Sequence, residues 1–476
     1  MGTISNNVSR RRFSGQMAVG ATGTMLHGLL SGGSVQGAEK APNVLVVQPD
    51  QHRGNVMRCA GDRQVDTPNL DRLAGDGIRF SNCVSNSPVC SPFRGTIQTG
   101  LYPHTHGVVN NNILLDPNLT TFAEIFEQAG YATGYIGKWH LDGGVPPKVG
   151  GYIEAGERRQ GWQEWNGYEK SHEYFDVWKF NDRKEQVPVD GYNWEPTWHT
   201  DMALDFAGRH TAAGKPWCYY LAYGPPHLPQ QCPKEFMDMY DPAGFTLPPD
   251  LVGKYSPEIE KIVRDIYQVY YGQVTAIDYE IGRLMAGLEK LGVADNTIIL
   301  YTSDHGDLLG SHFPADNPKK QRGKAAPYIK AFDIPLIVHW PEKIKPRQVC
   351  DLLTSGIDLA PTILELAGLH VPANMQGDSM AGWCMNGNGP RHDSVYLGIG
   401  GPPKKGGWRA VWDGRYVYAP VGYSHLYDHK QDPDEMNNLF DSSANEKVRK
   451  QMGEQLVGFA ETTGDPMLDD VKKACT

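Results

Sequence analysis

Short apolar runs alternate with amphipathic stretches along this chain. Pro42-Asn43-Val44-Leu45-Val46-Val47-Gln48 is apolar and β-branched without a polar alternation, the pattern of a strand buried on both faces, and it runs into Asp50-Gln51-His52-Arg53. Thr67 to Leu73 carries a candidate capping Thr, a first-turn Pro and helical apolar spacing, with a glycine stop at Gly75 or Gly77. Thr121 to Gln128 predicts a second helix, closed by Gly130. Tyr131 to Gly137 predicts a strand running into Lys138-Trp139-His140-Leu141, and Trp217 to Tyr223 one that runs into Pro225-Pro226-His227. Residues 258 to 291 predict a long amphipathic helix with Ile262, Ile266, Val269, Val274, Ile277, Ile281, Leu284 and Leu288 on its apolar face. Thr297 to Thr302 follows as a strand ending in Ser303-Asp304-His305-Gly306-Asp307, and Ile334 to His339 as a fifth.

Strands alternating with helices predict an α/β fold, a mostly parallel sheet covered on both faces. Ligands bind such sheets beyond the carboxyl ends of the strands. Asp50, Lys138 with His140, His227, and Asp304 with His305 each fall just past such an end. Singly, each suits a solvated loop rim; together they define a candidate site. Residues 143–200 interrupt the alternation with five tryptophans, Trp162, Trp165, Trp178, Trp194 and Trp198, and are read as an insertion shaping the cleft rim. Core packing is the commoner fate of Trp, and sugar stacking the rarer one. After about residue 375 the alternation stops. Val395 to Leu397, Trp408 to Trp412 and Tyr416 to Tyr418 predict short antiparallel strands with a hairpin turn at Asp413-Gly414, covered by a helix near Glu446 to Glu461. The expected division is a catalytic domain at 39–374 and a C-terminal α+β subdomain at 375–476.

Composition narrows the class. In 476 residues, 40% are hydrophobic and 21% charged, which fits a soluble globular protein, and the net charge of −10 argues against a nucleic-acid binder. Ser9-Arg10-Arg11-Arg12-Phe13, a mildly apolar stretch to Leu30 and small residues after it form a twin-arginine export pattern, with cleavage expected after Gly37 or Ala38. Residues 1–38 are therefore read as a bacterial signal segment and the mature protein as periplasmic or secreted. The apolar stretch is too short to span a bilayer, and no later segment approaches a membrane span. Eight cysteines without a CxxC pair argue against structural zinc and leave disulfide pairing open.

The candidate chemistry centres on Val89-Cys90-Ser91-Pro92-Phe93-Arg94-Gly95, where a helix start places Cys90 at a positive helix end near Arg94, a setting for an anion or a thiolate. Asp50, Gln51 and Asp304 offer hard oxygen ligands and His305 a nitrogen, a set for calcium, magnesium or manganese. Arg94, Lys138, His140, His227 and Lys324 add positive charge and proton transfer. The set suits displacement at a tetrahedral anion such as a sulfate or phosphate ester.

Cys90-Ser91-Pro92-Phe93-Arg94 resembles the Cys-x-Pro-x-Arg signature of the type I, formylglycine-dependent sulfatases, and Gly130 to Leu141 is similar to their second signature. The resemblance runs from Pro42 to Leu439, through Thr67-Pro68-Asn69-Leu70, Pro226-His227, Ser303 to Gly306, Gly323-Lys324 and Leu426-Tyr427-Asp428. It implies an alkaline-phosphatase-like fold with a small C-terminal antiparallel sheet domain. It also implies that a formylglycine-generating enzyme oxidises Cys90 to an aldehyde whose hydrate attacks sulfur. By resemblance, Asp50, Gln51, Cys90, Asp304 and His305 hold the metal, and Arg94 steadies the hydrate. Lys138 and Lys324 bind sulfate oxygens, His140 is the base that restores the aldehyde, and His227 is the leaving-group acid. Gln51 and His305 replace the family's more usual aspartate and asparagine, which favours Ca2+ with Mn2+ as the alternative. The expected substrate is a sulfated small molecule or oligosaccharide. The alternatives are a phosphonate monoester or phosphodiester hydrolase, whose Asp-Gln and Asp-His pattern is similar, and a catalytically inactive carbohydrate-binding relative.

Overall fold

The computed structural model describes residues 40–144, 151–253, 255–312, 322–401 and 406–476. The expected signal segment at 1–38 lies outside them. Residues 41–476 form one compact unit built on an eight-stranded sheet. Its strands are β1 (Asn43–Val47), β2 (Ile78–Val84), β3 (Ala132–Lys138), β4 (Glu164–Tyr168), β7 (Trp217–Ala222), β8 (Thr297–Thr302), β9 (Leu336–His339) and β10 (Gln348–Ser355). They lie in the order β10-β2-β9-β8-β1-β7-β3-β4, and all are parallel except β9. A separate hairpin, β5 (Trp178–Phe180) with β6 (Gln186–Pro188), lies within the insertion.

The apolar run of β1 explains its central place. Val44 and Val46 point into one core and Leu45 and Val47 into the other, and all are at most 2% exposed. The first core holds Phe93, Tyr135 and Tyr220; the second takes the inner face of the long helix, Pro257–Lys290, through Ile277, Ile281, Leu284 and Leu288. At its N-terminal end that helix is turned further than the apolar spacing predicts. Ile262 is exposed and Val269 half-buried, while Val263, Tyr267 and Tyr270 face inward.

Two local expectations are corrected. Thr67 does not cap the helix Pro68–Gly75: its hydroxyl accepts from the Arg58 amide, and the free N–H groups of Asn69 and Leu70 donate instead to the buried Asp278 carboxylate of the long helix. The 143–200 insertion does not wholly interrupt the sheet, because Glu164–Tyr168 joins it as the edge strand β4 beside β3. Thr121 does cap its helix, Phe122–Gln128, in a reciprocal capping box with Glu124.

The C-terminal strands β11 (Val395–Ile399), β12 (Trp408–Trp412), β13 (Tyr416–Val421) and β14 (His425–Asp428) form an antiparallel meander. The helices Glu446–Thr463 and Leu468–Cys475 pack on it through Met452, Leu456 and Val471. None of the eight cysteines is paired in a disulfide. Among the described residues no helix is long and apolar enough to cross a membrane.

Candidate active site

The carboxyl edge of the sheet gathers the residues that the chain scatters over nearly three hundred positions. Asp50 follows β1, with its amide held by the Tyr223 carbonyl beyond β7 (3.1 Å). Gln51 adopts a left-handed backbone (φ 68°), and its amide donates to Asp304 Oδ1 (2.9 Å). Asp304 and His305 follow β8, Lys138 ends β3, and His227 follows β7. Gly137 permits the close approach that sets Lys138. Its φ is 96°, and a Cβ there would lie 1.9 Å from the Ala222 carbonyl oxygen.

Cys90 is the first residue of the helix Cys90–Thr99, which is buried throughout. Its Sγ is 2.9 Å from Lys324 Nζ, 3.4 Å from His305 Nε2, 3.6 Å from Lys138 Nζ and 3.8 Å from Asp50 Oδ1. One turn along, Arg94 is 2% exposed and donates to Asp50 Oδ2 and Asp304 Oδ2, both at 3.1 Å, and to the Lys138 carbonyl at 2.7 Å. Lys138 Nζ donates to Asp50 Oδ2 at 2.7 Å. Arg94 and Lys138 thus occupy one oxygen of each carboxylate, while the Oδ1 atoms lie 3.7 Å (Asp50) and 3.6 Å (Asp304) from His305 Nε2. His305 Nδ1 lies 2.9 Å from the Gly306 carbonyl, which makes Nδ1 the protonated nitrogen and leaves the Nε2 lone pair facing the cluster.

These residues fit a divalent cation. Ligand atoms of Asp50, Cys90, Asp304 and His305 all lie within 4.8 Å of one another and all four residues are buried. Burial and the neighbouring Asp50 push the Asp304 carboxyl up despite His305 and Arg94, the signature of adjacent carboxylates short of positive charge. Asp50 goes the other way: burial raises it, but Lys138, His227, Lys324 and Arg94 hold it well below the ordinary carboxylate range. Gln51 Nε2 donates to Asp307 Oδ2 (2.8 Å), which leaves Oε1 as the oxygen it can offer a cation. Two hard carboxylate oxygens, an amide oxygen and one imidazole suit a divalent ion.

Around Cys90, burial and Asp50 raise the thiol, but Lys138, Lys324 and His305 outweigh them and its pKa falls well below the usual value. His140 has a positive φ of 58°, with Nε2 3.3 Å from Asn112 Oδ1; burial holds it neutral with a pKa of about 4. Burial and Lys324 likewise keep His227 well below the usual imidazole value. Its Nδ1 is 2.7 Å from the Leu228 carbonyl, so Nε2 is left for the site.

The structure adds residues that sequence reasoning missed. Asp307 lay in a quoted motif without a role; it is fully buried and holds Gln51, Arg322 and the Leu309 and Gly323 amides. Its spacing of three from Asp304 was the one available signal. Asn112 and His172 carried none, since neither follows a sheet strand's end directly. Of the insertion's tryptophans, Trp162, Trp194 and Trp198 are buried, whereas Trp165 and Trp178 are half-buried and line a cleft of about 190 Å³ with Tyr152, Arg159 and Phe180.

A mostly parallel sheet whose strand ends bring paired carboxylates, an imidazole and a lysine beside Cys90, Arg94 and Lys324 is the architecture of the alkaline-phosphatase-like class. Residues 42–369 match the family model Sulfatase, and residues 323–462 match N-sulphoglucosamine sulphohydrolase, C-terminal. The chain belongs to the sulfatase family and is a sulfuric ester hydrolase. It is 31% identical over 424 residues to an ulvan-active sulfatase of Formosa agariphila, covering 87% of this chain and 80% of that one. It is 27% identical to an N-acetylglucosamine-6-O-sulfatase of Bacteroides thetaiotaomicron, covering 87% and 85%. A solved phosphonate monoester hydrolase of Agrobacterium radiobacter shares the fold, with a TM-score of 0.73 at 20% identity over 89% of this chain and 96% of that one.

Proposed function

We propose that the protein removes sulfate from a sulfated carbohydrate, with residue 90 acting as formylglycine after maturation by a formylglycine-generating enzyme. The observation that carries this reading is the position of Cys90 Sγ. It touches Lys324 and Lys138, which suit an anion, and His305 and Asp50, which suit a cation. A calcium ion held by Asp50, Gln51, Asp304, His305 and residue 90 would supply Lewis-acid polarisation, and the hydrated aldehyde a nucleophile that can be regenerated.

The chain's own residues then divide the work. Arg94 holds one oxygen of each carboxylate and steadies the hydrate. Lys138 and Lys324 neutralise sulfate oxygens as charge moves onto them. His227, once the charge of the bound anion favours its protonation at Nε2, delivers that proton to the departing alcohol oxygen, and His140, neutral in the resting site, takes the proton whose loss reopens the aldehyde. Sugar recognition is supported by the ulvan-active and N-acetylglucosamine-6-O-sulfatase relatives and by the cleft beside Trp165 and Trp178. The twin-arginine pattern of residues 9–13 supports export to the periplasm or medium.

Turnover of an aryl sulfate against an aryl phosphonate monoester tests the reaction, together with peptide mapping of residue 90 from a host that carries the maturing enzyme. A sulfate preference and an aldehyde mass are expected. Preference for the phosphonate, or full activity with an unmodified thiol, overturns the reading.

A further inference from the structure

A turn of the insertion just beyond β4 packs against His227. β4 ends at Tyr168, paired in register with Lys138, so the residues that follow it emerge beside the catalytic edge. Four positions on, the His172 ring stacks on the ring of His227, with centroids 4.6 Å apart and planes 12° from parallel. Two residues later, the Tyr174 hydroxyl lies 3.0 Å from the Gly224 carbonyl and 3.1 Å from those of His227 and Leu228. Tyr174 is itself fully buried, and its amide is fixed by the Gln231 side chain at 2.8 Å.

We propose that His172 is the positioning residue of the leaving-group acid, bracing the His227 ring while Tyr174 pins its backbone. This rests on the assignment of His227 as that acid. The physical requirement is orientation. The Leu228 carbonyl accepts the Nδ1 proton of His227 and leaves Nε2 facing the site, but a single hydrogen bond leaves the ring free to rock about that contact. A stacked face on one side removes that freedom. The bracing ring must also stay uncharged, since an imidazolium there would repel a protonated His227. Burial, reinforced by Lys138, holds His172 neutral with a pKa of about 4, although Asp50 and Cys90 oppose it. Its Nδ1 is buried without a hydrogen-bond partner, so what fixes the ring is the stack, not a polar contact of that atom.

The test compares the mature wild type with His172→Ala and His172→Phe on a series of phenyl sulfates spanning good to poor leaving groups. Proton delivery matters most when the leaving oxygen is basic. His172→Ala is expected to lower kcat/KM for the poorest leaving groups by about 10- to 100-fold, a part of what general acid catalysis supplies, and to change the best ones little, steepening the dependence on leaving-group basicity. His172→Phe keeps the stacked face and is expected to restore the shallow dependence. A loss uniform across the series, or a Phe variant as impaired as Ala, overturns the proposal. Nitrogen-15 histidine NMR of the full chain reads the same point without turnover. His227 is expected to show one fixed tautomer in wild type and His172→Phe, and averaged signals in His172→Ala; unchanged His227 signals in the Ala variant would equally overturn it. A wild type that cleaves no sulfate would instead refute the functional reading, and the NMR comparison would still decide the brace.

Discussion

Lys324 Nζ sits 2.9 Å from Cys90 Sγ, although 234 residues separate them. Cys90 Sγ is also 3.6 Å from Lys138 Nζ, so two ammonium groups converge on the position that would carry a transferring sulfate.

Lys138→Ala and Lys324→Ala are therefore expected to lower kcat by about 100-fold or more while leaving the thermal midpoint of Lys324→Ala within about 2 °C of wild type. Lys138 differs because its loss also removes a buried ion-pair partner of Asp50, and a moderate fall in midpoint accompanies it. Steady-state kinetics with an aryl sulfate and a thermal melt read both. Wild-type turnover in either variant would rule out its role.

Asp307 holds the Gln51 amide so that its oxygen, not its nitrogen, is available to a cation. Asp307→Asn keeps the size and reverses that preference, because the new amide can donate to Gln51. Partners that orient metal ligands typically contribute about 10- to 100-fold in affinity. Calorimetric titration with calcium is expected to show weakening in that range, and an unchanged Kd would remove Asp307 from the metal site.

Asp50 and Asp304 face one another across the cluster, and a cation relieves their repulsion only in the folded state. The metal-stripped protein is expected to melt lower and to recover with calcium in a concentration-dependent way, by about 2.7 kcal/mol at a hundredfold excess over Kd. Asp304→Asn should shrink that recovery. Identical melting curves with and without calcium would show that the carboxylates hold no calcium.

Glu195 supplies a pH-dependent test of the scaffold. Burial pushes its carboxyl up to about 7, against hydrogen bonds from Tyr168 and the Gly224 amide that lower it. Its folded pKa thus lies above the unfolded value, so the folded state binds the extra proton between them. Stability from this group is fully present below about 4.5 and is lost as pH rises through about 7. Glu195→Gln should abolish that loss. Denaturant titrations at pH 5 and pH 8.5 are expected to show wild type weakening more than the variant; equal slopes with pH would refute the assignment.

The alternation of apolar runs was enough to read the parallel sheet, because a strand buried on both faces is dominated by apolar residues, as Val44 to Val47 show. β2, β4, β10 and β14 escaped notice because each is partly exposed and mixes polar positions into its run. The capping Thr67 failed for a related reason: a local signal was overridden by Asp278, a residue more than two hundred positions away.

By itself the sequence determined the strand ends, and so the edge on which Asp50, Lys138, His227, Asp304 and His305 would meet. It also determined Cys90 and Arg94 as neighbours on one helix turn. Only the tertiary structure decided which carboxylate oxygens Arg94 occupies, how Asp307 turns Gln51, and that His172 lies against His227. Periodicity and motif spacing act along the chain, whereas hydrogen-bond direction and ring stacking depend on atoms brought together by packing. No local pattern encodes those contacts, because each is made by residues whose own neighbours in the chain give no reason for it.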